Sequence, residues 1–180
     1  MDDLTRLLLA AADGDRTALA DFVRRVQSDV WRYCAYLVDT ETADDLTQEV
    51  FIRAMRSVHR FRSDASARTW LLAIARRAAA DEIRRRQRSR RAPHPTLRDE
   101  PDHADHTGLQ LLIADLEEDR RAAFVLTQLL GLSYAEAATA CNVPIGTIRS
   151  RVARAREDLA TSYQQQIQPP AARDDQSTAS

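Results

Sequence analysis

The sequence predicts an all-α chain: two small helical domains joined by a flexible linker, the second containing a helix-turn-helix. Three observations carry this expectation. Apolar residues recur at helical spacing through most of residues 5–88 and again over 109–164, and no stretch alternates as a half-buried strand would. Residues 89–108 hold three prolines, a basic start and an acidic remainder, a composition that cannot build a core. Finally, Leu132 to Leu159 reads as two helices across a tight break, the second studded with arginine.

A chain of 180 residues suits one domain or two small ones. It has no lysine, so its 26 basic residues are all arginine. Net charge is −1, but its distribution is uneven. Residues 1–52 carry −6, residues 53–91 carry +10, residues 92–119 carry −7 and residues 120–168 carry +3. Two basic blocks set between acidic ones suggest two surfaces that face polyanions. Cys34 and Cys141 lie far apart in apolar helical contexts and read as small core residues. No apolar run approaches the ~18 residues of a membrane span. Leu7 to Ala12 is too short for a signal sequence and follows Asp2 and Asp3. The expectation is a cytoplasmic protein without membrane insertion.

Taken in order, residues 3–12 form a short amphipathic helix that Asp13-Gly14-Asp15 breaks. Residues 16–38 form a second helix, with Leu19, Phe22, Val23, Val26, Val30, Tyr33 and Leu37 at core spacing. Asp39 to Glu41 is expected to turn, and Thr42 to cap a third helix. Leu46, Val50 and Ala54, joined by Phe51, make its apolar line. Asp44, Asp45, Gln48 and Glu49 make an acidic edge, which reads equally as a solvated helix start favoured by the backbone dipole or as a contact surface. Residues 58–69 hold a Ser/Asp cluster and read as a loop. A helix then runs from Trp70 to Ile83 and on through Arg88. Its buried face is Trp70, Leu71, Ile74, Ala78 and Ile83; Arg76, Arg77, Arg84, Arg85, Arg86 and Arg88 charge its other surfaces. A loop able to hold an unpaired base beside a helix that follows phosphates suits a melted DNA strand.

In the second domain, Leu112, Ile113, Leu116, Ala123, Phe124, Leu126, Leu129 and Leu130 lead to Gly131, a helix stop. Ser133 and Glu136 have capping-box spacing. Alanines at 135, 137, 138 and 140 keep the next helix thin, and Asn142-Val143-Pro144 ends it. From Ile145, the positions Ile148, Val152, Ala155 and Leu159 form one apolar stripe. Ser150, Ala153, Arg154 and Glu157 lie opposite, with Arg149 and Arg156 on one flank and Arg151 on the other. Such a helix, fixed across a short turn, suits a DNA major groove. Residues 165–180 read as a disordered polar tail.

These residues resemble the extracytoplasmic-function sigma factors, small promoter-specificity subunits of bacterial RNA polymerase. Val143-Pro144-Ile145-Gly146-Thr147-Ile148-Arg149-Ser150-Arg151-Val152, with Arg154-Ala155-Arg156, is similar to the family's recognition helix. The resemblance implies −35 DNA contacts from Arg149, Ser150, Arg151, Ala153, Arg154 and Arg156; Arg151 and Arg156 are better placed for phosphates than for bases. Asp44-Asp45-Leu46-Thr47-Gln48-Glu49-Val50-Phe51 looks like the segment that grips the polymerase beta-prime coiled coil. There Asp44, Asp45, Gln48 and Glu49 would make polar contacts, supported by Leu46 and Phe51. Phe61-Arg62, Arg68-Thr69-Trp70-Leu71, Ile74-Ala75-Arg76, Asp81 and Arg84 match the family's −10 reader. The implied melted-strand contacts are Phe61, Arg62, Ser63, Asp64, Ser66, Trp70, Arg76, Arg77 and Arg84, with Trp70 open between core packing and base contact. This segment departs from the pattern where Ser63 stands for a common Gly, Ala67 for an aromatic and Arg77 for Asn.

The resemblance implies core RNA polymerase (beta-prime coiled coil and beta flap) and promoter DNA as partners, duplex at −35 and melted at −10. It also implies association with the nucleoid while bound to polymerase, and it leaves an anti-sigma factor open. In the family the linker threads toward the RNA exit path, where an acidic segment at 99–105 would lie in the way of nascent RNA. The chain shows no Gly-rich phosphate loop, HExxH or G-x-S-x-G and reads as no enzyme, with no cofactor. His103 and His106 have no further ligand placed for a metal. A free-standing helix-turn-helix regulator leaves residues 43–88 unexplained. An anti-sigma or adaptor protein leaves the Arg face unexplained.

Overall fold

The computed structural model describes residues 1–91 and 108–167, all helices and short connections. The linker histidines, the acidic segment 99–105 and residues 168–180 of the expected tail lie outside them.

Aspartates start the first three helices. Asp2 caps α1 (Asp3–Ala12) and Asp15 caps α2 (Arg16–Leu37), each accepting from free first-turn N–H groups. Gly14, at φ +98°, reverses the chain between them. Asp39, not Thr42, caps α3 (Thr40–Ser57), accepting from the Thr42 N–H at 2.7 Å. The expected turn at 39–41 is therefore already helix. The carboxylate wins because it is the stronger acceptor and because the Arg86 guanidinium holds it in place.

After one 3-10 turn, Val58–Arg60, and a short loop, α4 spans Ala67–Arg91. It begins three residues earlier than the sequence suggests. Its free N–H groups find side-chain acceptors. Thr69 N–H donates to Ser66 Oγ (3.1 Å), and Ala67 N–H donates to Thr5 Oγ1 (3.0 Å). The Thr5 hydroxyl in turn donates to Asp2 (2.6 Å). That chain explains why Thr5 is buried.

The second group of helices begins with α5 (Gly108–Ala114). The sequence suggests one helix up to Gly131, but Glu117 caps a new one, α6 (Glu118–Phe124), by accepting from the Asp119 and Arg120 N–H groups. α6 widens into a π-helical turn over Val125–Leu129 and ends at Gly131, φ +70°. The Ser133–Glu136 capping box opens α7 (Tyr134–Cys141), and Asn142 closes it in the left-handed region at φ 53°. α8 spans Ile145–Ile167. It passes the expected tail start at residue 165, since nothing in the Gln-rich segment breaks a helix before Pro169.

The two helical clusters do not stand apart. α7 packs on α4, and α2 packs on α5 and α6. One apolar core runs through both, from Leu8, Phe22 and Leu71 to Leu126, Ile148 and Val152.

Asp39 ties α3 to α4, which makes stability depend on acid. Burial alone would raise its pKa; the Arg86 guanidinium and the Thr42 donors outweigh this and hold it below the usual carboxylate range. The stabilisation is complete above the unfolded value near ~3.9. It is lost as pH falls through the lower folded value. Asp39→Asn retains a capping oxygen and removes the charge pair. It should cost up to about 1 kcal/mol near neutrality. In denaturant titrations across pH, that difference from the parent should vanish in acid.

Candidate nucleic-acid interface

Burial of one face of α8 decides what the other presents. Ile148, Val152 and Ala155 are at most 1% exposed. Arg149, Ser150, Ala153, Arg154 and Arg156 consequently face solvent. Arg149 and Arg154 have no hydrogen-bond or ion-pair partner among the described residues. Arg156 donates to Gln128 Oε1 at 2.7 Å, and the Ser150 hydroxyl donates to the Thr147 carbonyl at 3.0 Å. Arg151 differs. It is half-buried and ion-paired with Asp119, whose other carboxylate oxygen accepts from Arg76 of α4 at 2.8 Å.

The loop before α4 puts Arg62, Ser63 and Asp64 in solvent. Phe61 instead points inward, 8% exposed, with its ring centroid 5.3 Å from that of the half-buried Trp70. Phe61 thus shapes the loop from beneath, while Trp70 keeps part of its ring accessible. The Ser66 hydroxyl is engaged with Thr69. Arg77 and Arg84 are exposed on α4. Arg84 pairs with Asp81 (2.6 Å), which also accepts from Arg53 (2.7 Å). Ser63 sits at φ 57°, where a side chain is strained and glycine is not.

On α3, Asp44, Asp45 and Gln48 are exposed. Glu49 is half-buried and paired with Arg53 at 2.7 Å. Leu46 is 7% exposed and Phe51 packs against the core, so these two hold the edge from behind. Asp44 accepts from Trp31 Nε1 at 2.8 Å, beside a shallow groove that Gln27, Thr47 and Gln48 also line. Nothing in the sequence joins Trp31 to Asp44, because helical periodicity does not say which surface residues meet across two helices. Nothing local singles out Asp119 either, one of three successive acids in a linker-proximal segment.

The arrangement is that of a helical DNA-binding protein. It pairs a helix-turn-helix with a four-helix unit bearing a basic helix and an acidic edge. Residues 22–89 match the family model for sigma-70 region 2, and residues 106–159 match that for sigma-70 region 4. The ECF RNA polymerase sigma factor SigC of Mycobacterium tuberculosis is 53% identical over 164 residues, covering 87% of this chain and 89% of that one. Among solved structures, the sigma factor RpoE of Bartonella quintana, in complex with the anti-sigma factor NepR, is 27% identical. It superposes with a TM-score of 0.68 over 81% of this chain and 96% of that one. CnrH, in complex with the cytosolic domain of CnrY, shares the fold at 22% identity and TM-score 0.71, over 90% and 98% of the two chains. The chain belongs to the extracytoplasmic-function RNA polymerase sigma factors. It is a non-enzymatic subunit that binds RNA polymerase and promoter DNA through regions 2 and 4. Among the described residues, no helix is long and apolar enough to cross a membrane.

Ser63 yields a direct test of the loop. Ser63→Gly removes a left-handed strain of roughly 1–2 kcal/mol, part of which returns as glycine's larger unfolded-state entropy. The variant should melt a few degrees higher in a thermal scan, whereas Ser63→Val should melt lower.

Proposed function

We propose that this sigma factor divides promoter recognition among three surfaces. α8 reads duplex −35 DNA. The loop at 61–66 and the start of α4 hold the melted −10 strand. The exposed edge of α3 grips the polymerase beta-prime coiled coil, and the second cluster engages the beta flap. The α8 surface carries the proposal furthest: two arginines without partners among the described residues, flanking Ser150 and Ala153, on a helix whose opposite face is buried.

On that helix Arg149, Ser150, Ala153 and Arg154 face base edges, and Arg156 takes a phosphate, held in line by Gln128. Arg151 reaches DNA only after leaving Asp119. Arg62, Ser63, Asp64, Arg77 and Arg84 line the strand path, with Ser66 fixing the loop and Trp70 offering a partly open ring over Phe61. Asp44, Asp45 and Gln48 make the polymerase contacts directly. Glu49 contributes through its pair with Arg53, and Leu46 and Phe51 set the edge. The Bartonella relative is seen with an anti-sigma factor. An antagonist of that kind for this chain belongs to the same proposal.

The deciding experiment is in vitro transcription with core RNA polymerase on a pool of genomic fragments, with sequencing of transcript starts. Starts that share upstream −35 and −10 elements are expected. Specific duplex binding without initiation would favour a free-standing regulator and remove the α3 assignment. Arg154→Ala should lose ~1–3 kcal/mol of discrimination at one −35 base pair. Arg156→Ala should weaken all promoters alike and lower the salt dependence of binding. Asp45→Ala combined with Gln48→Ala should leave the fold and DNA affinity unchanged and abolish co-elution with core polymerase.

A further inference from the structure

The first turn of α4 is capped twice, once locally and once from a distant helix. Ser66 supplies the local cap. Its carbonyl accepts from the Trp70 N–H (3.0 Å) and its hydroxyl from the Thr69 N–H (3.1 Å). The Ala67 N–H, a first-turn donor without a place in the helix ladder, goes elsewhere. It donates to Thr5 Oγ1 of α1, 62 residues away in the chain, at 3.0 Å. The Thr5 hydroxyl gives its own proton to Asp2 (2.6 Å), and so turns a lone pair toward Ala67. The other Asp2 oxygen accepts from the Thr5 N–H at 2.9 Å. Burial pushes the Asp2 carboxyl up, but the Thr5 donors outweigh it and hold it below the usual carboxylate range. The bond that aims the hydroxyl is therefore charge-assisted.

Packing makes this reach possible. Thr5 is 3% exposed and Ala67 is fully buried. Position 67 carries only a methyl group, one of the departures from the family pattern in this segment. With so small a side chain, the first turn of α1 comes within hydrogen-bond distance of the α4 backbone. α1 also packs on the 3-10 turn Val58–Arg60. It thus touches both ends of the loop at 61–66, and the exposed Arg62, Ser63 and Asp64 lie between. That loop needs outside support. Ser63 holds a left-handed backbone that costs energy for a side-chain-bearing residue. Its hydroxyl donates to the adjacent Arg62 carbonyl (2.7 Å), a bond that does not reach beyond the loop.

We propose that Thr5 and Asp2 are positioning residues for the melted −10 strand. Through the Ala67 N–H they fix the end of the loop that presents Arg62, Ser63 and Asp64, and with it the turn of α4 that carries Trp70. The proposal rests on the assignment of that loop to the −10 strand. Without the anchor the loop spreads over other shapes. The strand binds only the ordered fraction, so its apparent affinity falls with that fraction. The exposed edge of α3 and the arginine face of α8 lie on other elements and keep their affinities.

The full chain, reconstituted with core RNA polymerase, is titrated with two probes from a promoter recovered in the transcription-start experiment. One is a single-stranded oligonucleotide carrying the −10 element, the other a duplex −35 fragment. Thr5→Val keeps the shape and removes the hydroxyl. It should weaken single-strand binding by up to about fivefold, the factor that one lost helix cap carries. Duplex binding and co-elution with polymerase should stay at the parent's values. Thr5→Ser retains the hydroxyl and should restore strand binding. Asp2→Asn keeps the α1 cap but loses the charge that aims the hydroxyl, and should weaken the same probe by less. Thr5→Val with the parent's strand affinity would overturn the proposal. So would equal losses on both probes, or no rescue by serine, since these mark a general loss of fold. If Thr5→Val does not fold, Asp2→Asn decides, and the parent's strand affinity in that variant counts against the role. A parent that does not bind the single strand sinks the −10 assignment instead.

Discussion

The close approach of α4 and α7 is the constraint on which the rest of the structure depends. Both helices carry buried alanines, Ala75 and Ala79 on one and Ala137, Ala138 and Ala140 on the other. Small residues let two helices approach without large side chains between them, and they cost no side-chain entropy on burial. Because the helices come together here, α6 and α8 are carried to the edge of the first cluster. Asp119 can then touch Arg76 and Arg151 at once. A larger residue at any of these buried positions would have to displace its neighbours, since packed interiors absorb extra volume poorly.

Arginine is well suited to the seam that results. Arg68 bonds a carboxylate and a carbonyl simultaneously, and Arg86 reaches Asp39, Thr42 and Glu82. Its planar fork makes such two-ended contacts with little loss of freedom per bond; an ammonium on a flexible stem does not reproduce the geometry. Several of these bonds end on backbone carbonyls where a helix stops, at Leu37, Leu129 and Leu130. Those carbonyls lack partners within the helix, and a cation there also meets the negative end of the helix dipole. A chain without lysine therefore gains in its joints as well as in its DNA-facing surface.

What the sequence disclosed follows from which forces are local. Helices α1, α2, α7 and the start of α8 were legible because apolar spacing and capping residues act within a few positions. Ser133 with Glu136 behaves as the spacing predicts. The start of α3 was misplaced because Asp39 is held by Arg86, 47 residues away in the chain. The break at Glu117 was hidden because a capping carboxylate in an acidic run looks like solvated charge. The exposed face of α8 could be read from its stripe, as could the acidic edge of α3. The inward turn of Phe61, the pairing of Trp31 with Asp44 and the double use of Asp119 depend on contacts between helices, and one-dimensional periodicity does not encode those.

The uneven charge along the chain acquires a physical meaning in the fold. The segment 53–91 carries +10, enough to oppose its own compaction. It is neutralised in part by acids from the flanking blocks: Asp29 on Arg68, Asp39 on Arg86, Glu49 on Arg53 and Asp119 on Arg76. The acidic blocks thus act as internal counterions for the basic helix. What they leave over is informative. Arg149, Arg154, Arg62 and Arg77 carry no acidic partner among the described residues, and they lie on the two surfaces assigned to DNA. A polyanion approaching the folded chain meets these first, without competition. Arg76 and Arg151 are already held by Asp119. Near-neutral net charge and strong local positive potential are therefore compatible, because the fold pairs arginines at its joints and leaves others unpaired where an external phosphate can replace solvent.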